Sequence, residues 1–215
     1  MRRAILLFMV HIALFSLIHT AQAVIPLQIP PVWESVDETY STGGAVADVN
    51  RDGWLDLLVG NGNDMDSEPN DVYYNLGGML ETVASWSSSN NAYSGHIAVG
   101  DVDNDGDVDM GVGWYGAFDP WLDDLYLNTG DSLERNPSWH PTIADTDNSF
   151  SCAFGDVDGD GDLDLAFASG EMYTSRQQPS KLYLNQAGIL DSVSAWQSQP
   201  GYAYGVAWGD VDGDG

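Results

Sequence analysis

The sequence predicts an all-β protein: a β-propeller of four-stranded blades, present here as an incomplete N-terminal portion of about three blades plus orphan strands. Three observations predict it. An aspartate-rich loop returns at Asp48, Asp101, Asp156 and Asp210, at intervals of 53, 55 and 54 residues. Apolar stretches of strand period bracket each loop, and two further short segments follow every complete loop at matching distances. Four short strands in a unit of about 54 residues, repeated in tandem, describe a propeller blade.

The chain opens with two arginines, the apolar run ILLFMVHIALFSLI, and small residues at Ala21 and Ala23. Residues 1–23 therefore read as a secretory signal, with cleavage expected after Ala23. An uncleaved anchor is the alternative, but the apolar run falls short of the ~20 residues that span a bilayer. No later stretch can cross a membrane, so the chain is expected to be secreted, extracellular, on the cell surface or in the periplasm, with no membrane span after signal cleavage. Residues 24–215 then form the partial propeller, with repeat units at about 34–86, 87–139 and 140–196 and the start of a fourth at 197–215.

Leu27 and Trp33 stand six apart, 53 residues before Leu80 and Trp86. They read as a fourth strand with no first three strands before it, which makes sense if it completes the last blade of a closed ring and so removes exposed sheet edges. At the other end, Gly215 interrupts the fourth loop before its seventh and ninth positions. The expectation is an N-terminal fragment of a longer protein.

Within each repeat the first strand, read from AVAD, IAVGD, CAFGD and VAWGD, has a small face and a large face. The small face carries Ala45, Ala98, Ala153 and Ala207, then Ala47, Gly100, Gly155 and Gly209; the large face carries Val46, Val99, Phe154 and Trp208. Small residues permit the close backbone approach that stacked sheets require. Cys152, the single cysteine, occupies a slot that holds Ile97 or Val206 elsewhere and reads as a core residue.

The loop comes next, as DVNRDGWLD, DVDNDGDVD, DVDGDGDLD and the truncated DVDGDG. Oxygen-bearing side chains fall at positions 1, 3, 5 and 9, and Gly at position 6 supplies a tight turn. Aspartates this close repel one another, and a hard cation that takes six to eight oxygens removes the cost. Calcium is the natural ion. An EF-hand would need Glu at position 12, where this chain has Val59, Val112 and Phe167. A second strand follows, with Leu55, Leu57 and Val59 expected on one face and Asp56 turned back to the loop; Val108, Met110 and Val112, then Leu163, Leu165 and Phe167, repeat the pattern.

A third strand carries Tyr73, Tyr126 and Tyr183, and Asn75, Asn128 and Asn185 mark the turns after it. The fourth segment runs from Leu80 to Trp86, Leu133 to Trp139 and Leu190 to Trp196.

Composition narrows the partners. With Arg2 and Arg3 removed, four basic residues face 33 acidic ones, a formal charge of -29. Nucleic acid and anionic lipid surfaces are repelled by such a chain. Sixteen of the acids lie in the four loops, so much of this charge belongs to the metal sites.

DVDNDGDVD and DVDGDGDLD, followed by LYLN, resemble the FG-GAP/VCBS-type repeats of integrin α-subunit propellers and of many exported bacterial proteins. The resemblance implies calcium held by side chains at positions 1, 3, 5 and 9 and by the carbonyl at 7, about one ion per complete loop. The ligand sets it implies are Asp48, Asn50, Asp52, Trp54 (carbonyl) and Asp56; Asp101, Asp103, Asp105, Asp107 (carbonyl) and Asp109; and Asp156, Asp158, Asp160, Asp162 (carbonyl) and Asp164. Asp210, Asp212 and Asp214 open a fourth set. Asn50 and Arg51 lower the charge of the first loop, so weaker binding is expected there.

The resemblance implies a secreted or cell-surface calcium-binding module that acts in adhesion or in binding a glycan or extracellular protein. The alternative is part of an exported calcium-dependent polysaccharide lyase or hydrolase. No catalytic constellation is visible: His96 and His140, the two histidines after the signal, belong to no readable zinc or nucleophile pattern. In a four-stranded meander the metal loops lie opposite the loops that join strands two and three. The second of these loops is crowded with Trp114, Tyr115, Phe118 and Trp121, the candidate ligand face.

Overall fold

The computed structural model describes residues 32–63, 66–91, 93–115, 122–143, 147–172 and 175–210. The chain divides into two compact units, Met1–Glu34 and Ser35–Gly215, and every element below lies in the second. The secretory signal, Leu27 and the last loop residues Asp212 and Asp214 lie outside the described residues.

Three antiparallel meanders follow one another. The first sheet is β1 (Ser41–Ala47), β2 (Asp56–Asn61), β3 (Asp71–Tyr73) and β4 (Trp86–Ser87), paired in chain order. The second is β5 (Ser94–Gly100), β6 (Asp109–Trp114) and β7 (Asp124–Tyr126), with a single bridge from Leu125 to Trp139 where a fourth strand would stand. The third is β8 (Ser149–Gly155), β9 (Asp164–Ser169), β10 (Lys181–Tyr183) and β11 (Trp196–Gln197). The three sheets do not close into a ring among the described residues. Each first strand shifts register near its start, between Ser41 and Gly43, Ser94 and Ile97, and Ser149 and Ser151, so the irregularity belongs to the repeat.

The hydrophobic core lies between neighbouring sheets. One cluster joins Ala47, Val49, Leu58, Val72 and Trp86 of the first repeat to Ile97, Met110, Val112, Trp114, Tyr126 and Leu133 of the second. Another joins Val102 and Leu125 to Cys152, Leu165, Phe167, Tyr183 and Leu190. The small and large faces predicted for the first strand are how this fit is made. A Cβ added at Gly100 would lie 2.9 Å from Leu163 and 3.2 Å from Phe154, and one at Gly155 would lie 2.6 Å from Trp208. Phe154 and Trp208, the large residues of the third and fourth repeats, thus enter the space left by Gly100 and Gly155 in the sheet before them.

Outer tryptophans lock the same joints. Trp86 meets Tyr126 edge-on at 5.9 Å, and Trp139 meets Tyr183 at 5.2 Å. The indole of Trp86 also donates to the carbonyl of Leu133 at 2.8 Å. Trp196 is 56% exposed, and it lines an apolar cavity with buried Ala166 and half-buried Leu182. Leu55, placed by its strand period on a buried face, is instead 58% exposed, because β2 begins only at Asp56. Cys152 is buried, its thiol donating to the carbonyl of Gly111, and burial pushes its pKa well above the usual thiol range.

Trp33 is described but lies in no strand. The residues just after it repeat contacts that the later repeats make. Val36 donates its N–H to Thr82 as Ser89 does to Arg135 and Thr142 to Ser192. Tyr73 hydrogen-bonds to Asp37 as Tyr126 does to Asn90, 53 residues on. Burial, and then this bond, push the phenol of Tyr73 up to about 12.

Repeat arithmetic explains one buried acid. Asp123 accepts the N–H of Trp114 at 2.9 Å and the hydroxyl of Ser149 at 2.8 Å. In the first repeat Asn70 holds the same place, accepting Asn61 N–H at 3.1 Å and the Ser94 hydroxyl at 2.6 Å. Burial, with Asp124 and Asp147 nearby, pushes Asp123 up to about 8. An acid raised on folding contributes stability that is full below its unfolded pKa of 3.8 and lost as pH rises through about 8. Asp123→Asn should therefore gain on the wild type by up to about 1.4 kcal/mol per pH unit across that window. Parallel pH–stability curves for the two proteins would show that the carboxyl is not held as described.

Candidate metal centre

Each aspartate loop joins the first two strands of its sheet: residues 48–55 link β1 to β2, 101–108 link β5 to β6, and 156–163 link β8 to β9. The turn is made as the spacing predicts. Position 6 is left-handed in all three loops, at Gly53 (φ 90°), Gly106 (φ 92°) and Gly161 (φ 97°). Position 4 is left-handed too, at Arg51 (φ 57°), Asn104 (φ 59°) and Gly159 (φ 76°), which the sequence reading did not foresee.

The position 1 carboxylates draw the loop round themselves. Asp48 accepts the N–H groups of Asp52 and Gly53, Asp101 those of Asp105 and Gly106, and Asp156 those of Gly159 and Gly161, all at 2.8 to 3.1 Å. Position 9 is buried in every complete loop, at Asp56, Asp109 and Asp164. Each of these carboxylates takes two backbone N–H groups. One comes from position 2 of its own loop, Val49, Val102 or Val157, at 2.8 to 2.9 Å. The other comes from Asn75, Asn128 or Asn185 after the third strand, at 2.8 Å.

Burial, partly offset by these two bonds, pushes the carboxyl of Asp109 up to about 7 and raises that of Asp56. Burial and the neighbouring Asp105 raise Asp103 as well. Acids this close to one another, with the position 9 member buried, favour a cation among them. Carboxylate oxygens of Asp101, Asp103 and Asp109 lie within 4.8 Å of one another, as do those of Asp156, Asp158 and Asp164, and either set could hold a metal ion. The donors are all oxygens, the choice of a hard cation over zinc or copper. The first loop keeps the arrangement, with Asn50 at position 3.

Neighbouring loops are tied to one another. Arg51 reaches across to the next loop, where its Nε lies 2.7 Å from the buried carboxylate of Asp107, and it also donates to the carbonyl of Gly130 at 3.1 Å. Asn104 repeats the gesture one repeat later, its amide donating to Asp162 at 2.6 Å. The positive charge of Arg51 is therefore spent on the second loop's position 7 side chain and does not lower the charge of its own loop, as the sequence reading had it. A second tie runs through the turn asparagines. Asn128 donates its side-chain amide to the carbonyl of Val49 at 2.7 Å, and Asn185 to that of Val102 at 2.6 Å.

The candidate ligand face needs correction. Trp114 is 2% exposed and belongs to the core between the first two sheets. Its indole donates to Asp124 at 2.8 Å, replacing the amide that Asn61 offers to Asp71 in the first repeat. Tyr115 is half-buried and stacks on Phe150; Phe118 and Trp121 lie outside the described residues. Asp210 is described and exposed. Among the described residues no helix is long and apolar enough to cross a membrane.

These meanders, each with an acidic loop between its first two strands, define a class: all-β repeat proteins whose acidic-loop sheets pack side by side. Residues 48–112, which run from the first loop into β6, match an FG-GAP-like repeat. A search of curated proteins finds no match.

The geometry separates two kinds of loop aspartate. Asp109→Ala orphans two buried N–H groups and should cost more than about 2 kcal/mol with or without calcium. Asp103→Ala removes a raised, like-charged neighbour, so it should cost that much only in calcium and be neutral or mildly stabilising in chelator. Paired chemical unfolding of both variants in the two buffers is the check; equal losses for Asp103→Ala in both would mean that its carboxylate serves the loop and not an ion.

Proposed function

We propose that this chain is a calcium-stabilised repeat module of an exported protein, and that it serves adhesion or the binding of a glycan or protein ligand. The observation that carries the reading is the set of buried position 9 carboxylates, Asp56, Asp109 and Asp164, each aimed into a loop of further oxygen donors. A buried carboxylate with only two backbone donors is poorly compensated, and a divalent cation supplies the missing charge. Held by the side chains at positions 1, 3, 5 and 9 and the carbonyls of Trp54, Asp107 and Asp162, calcium would close each loop on the strands it joins. The FG-GAP-like match at residues 48–112 supports the same chemistry.

The role of the metal in this reading is structural. Each loop fixes the turn between two strands that build the core, so binding free energy appears as folding free energy. The strand ends away from the loops are then free to present a ligand surface. Net charge speaks for a neutral or basic partner over an anionic one, since the sequence carries a formal charge of -27.

Calcium at about a hundredfold excess over its dissociation constant adds roughly 2.7 kcal/mol per site. For a domain of this size each kcal/mol raises the melting temperature by about 2 to 4 °C. Three occupied loops should therefore raise melting by on the order of 15 °C or more over chelator. Magnesium should do much less, because its small octahedral shell suits a crowded oxygen loop badly. Identical melting in calcium and in chelator would refute the reading.

A further inference from the structure

The first strands β1, β5 and β8 begin where the metal loops do not reach. Seven residues at about 3.3 Å each put their two ends roughly 20 Å apart. At the starting end a concave pocket of about 280 Å³ opens, lined by Thr42, Asn63, His96, Tyr115, Phe150 and Tyr204 together with backbone of Ser94 and Gly95. Thr42, Gly95, Phe150 and Tyr204 stand 53, 55 and 54 residues apart, so they are the same position in successive repeats. The pocket is assembled from three sheets and the segment that follows the third.

Its walls have two characters. Tyr115, Phe150 and Tyr204 form a continuous aromatic wall, with centroids 4.2 Å apart in the first pair and 4.6 Å in the second, and tilted ring planes. Beside this wall stand polar groups whose capacity is not used up. Neither the imidazole of His96, which is exposed, nor the hydroxyl of Tyr204, which is 41% exposed, has a hydrogen-bond partner among the described residues. Thr42 by contrast is committed, its hydroxyl donating to Gly60 and Ser94 carbonyls. Among the described residues no Asp, Glu, Lys or Arg lines the pocket.

We propose that this pocket is a binding site for one ring of a neutral saccharide. The proposal rests on the ligand-binding reading above and gives it a place and a chemistry. A sugar ring offers an apolar C–H face and a rim of hydroxyls, the complement of an aromatic wall edged by a free imidazole and a free phenol. The acidic molecule repels anionic glycans from a distance, which favours a neutral ring. The volume is at the lower end for small-molecule sites, enough for a single ring with the rest of a chain outside.

The test uses the full chain in calcium and reads saturation-transfer NMR and titration calorimetry. The probes are cellohexaose, chitohexaose and mannohexaose, with hexagalacturonate as the anionic control and an aromatic-rich peptide as the protein-like control. At least one neutral hexasaccharide should bind, and hexagalacturonate should bind at least tenfold more weakly. Tyr204→Ala and His96→Ala change exposed side chains and should keep the wild-type melting temperature while weakening saccharide binding at least tenfold. Phe150→Leu keeps an apolar filler and tests the stacking separately, with a similar loss expected.

Wild-type binding that survives all three substitutions would overturn the site while leaving a ligand-binding module in place. Binding of the peptide and of none of the saccharides would overturn the ligand class. No binding of any neutral hexasaccharide at about millimolar concentration, by a protein whose melting still responds to calcium, would overturn the proposal without touching the metal reading.

Discussion

The structure depends on what is done with a buried negative charge. Asp56, Asp109 and Asp164 sit at the base of their loops, where solvation is lost and an isolated carboxylate would be costly. The chain answers with two backbone N–H groups for each, one from the start of the loop and one from the turn beyond the third strand. One side chain thus pins three strands of its own sheet. The compensation is incomplete: burial still drives Asp109 up to about 7, and a cation among the neighbouring oxygens would complete it.

From that anchor the repeats are joined in two layers. Close to the loops, Asn128 and Asn185 give their backbone N–H to the carboxylate of their own loop and their side-chain amide to the loop before it. Arg51 and Asn104, held left-handed at position 4, reach forward to Asp107 and Asp162. Further out, large residues of one first strand enter the glycine-lined hollow of the preceding sheet, and an outer tryptophan closes against the next tyrosine. Packing and polar ties both join each repeat to its neighbours along the chain, so each repeat is specified by its neighbours as well as by its own sequence.

Much of this was legible in the residues, because the repeat prints each rule several times. The strand order, the loop's place between the first two strands, the small and large faces and the core setting of Cys152 follow from period and spacing. The rest turned on things a single repeat hides. Val at position 2, present in all four loops, has no side-chain chemistry to announce its role, yet in the first loop its N–H caps position 9 and its carbonyl takes the next repeat's asparagine. The recurrence itself was the available signal. Trp114 misled because aromatic density in a loop reads as a surface platform, whereas its alignment with Asn61 puts it at a strand end with an acid, Asp124, to satisfy. Arg51 misled because charge was assigned to the nearest loop in sequence, and a long side chain answers to the nearest loop in space.

The central claim is that the position 9 carboxylates and their ion hold loop, second strand and third strand as one unit. Residue-resolved amide hydrogen exchange, with calcium and with chelator, addresses it directly at Val49, Val102, Val157, Asn75, Asn128 and Asn185, the six donors to those carboxylates. The account predicts that all six amides are strongly protected in calcium and lose protection together in chelator, ahead of the central strand β6. Protection at these six that is unchanged by chelation, or lost only when β6 is lost, would contradict it.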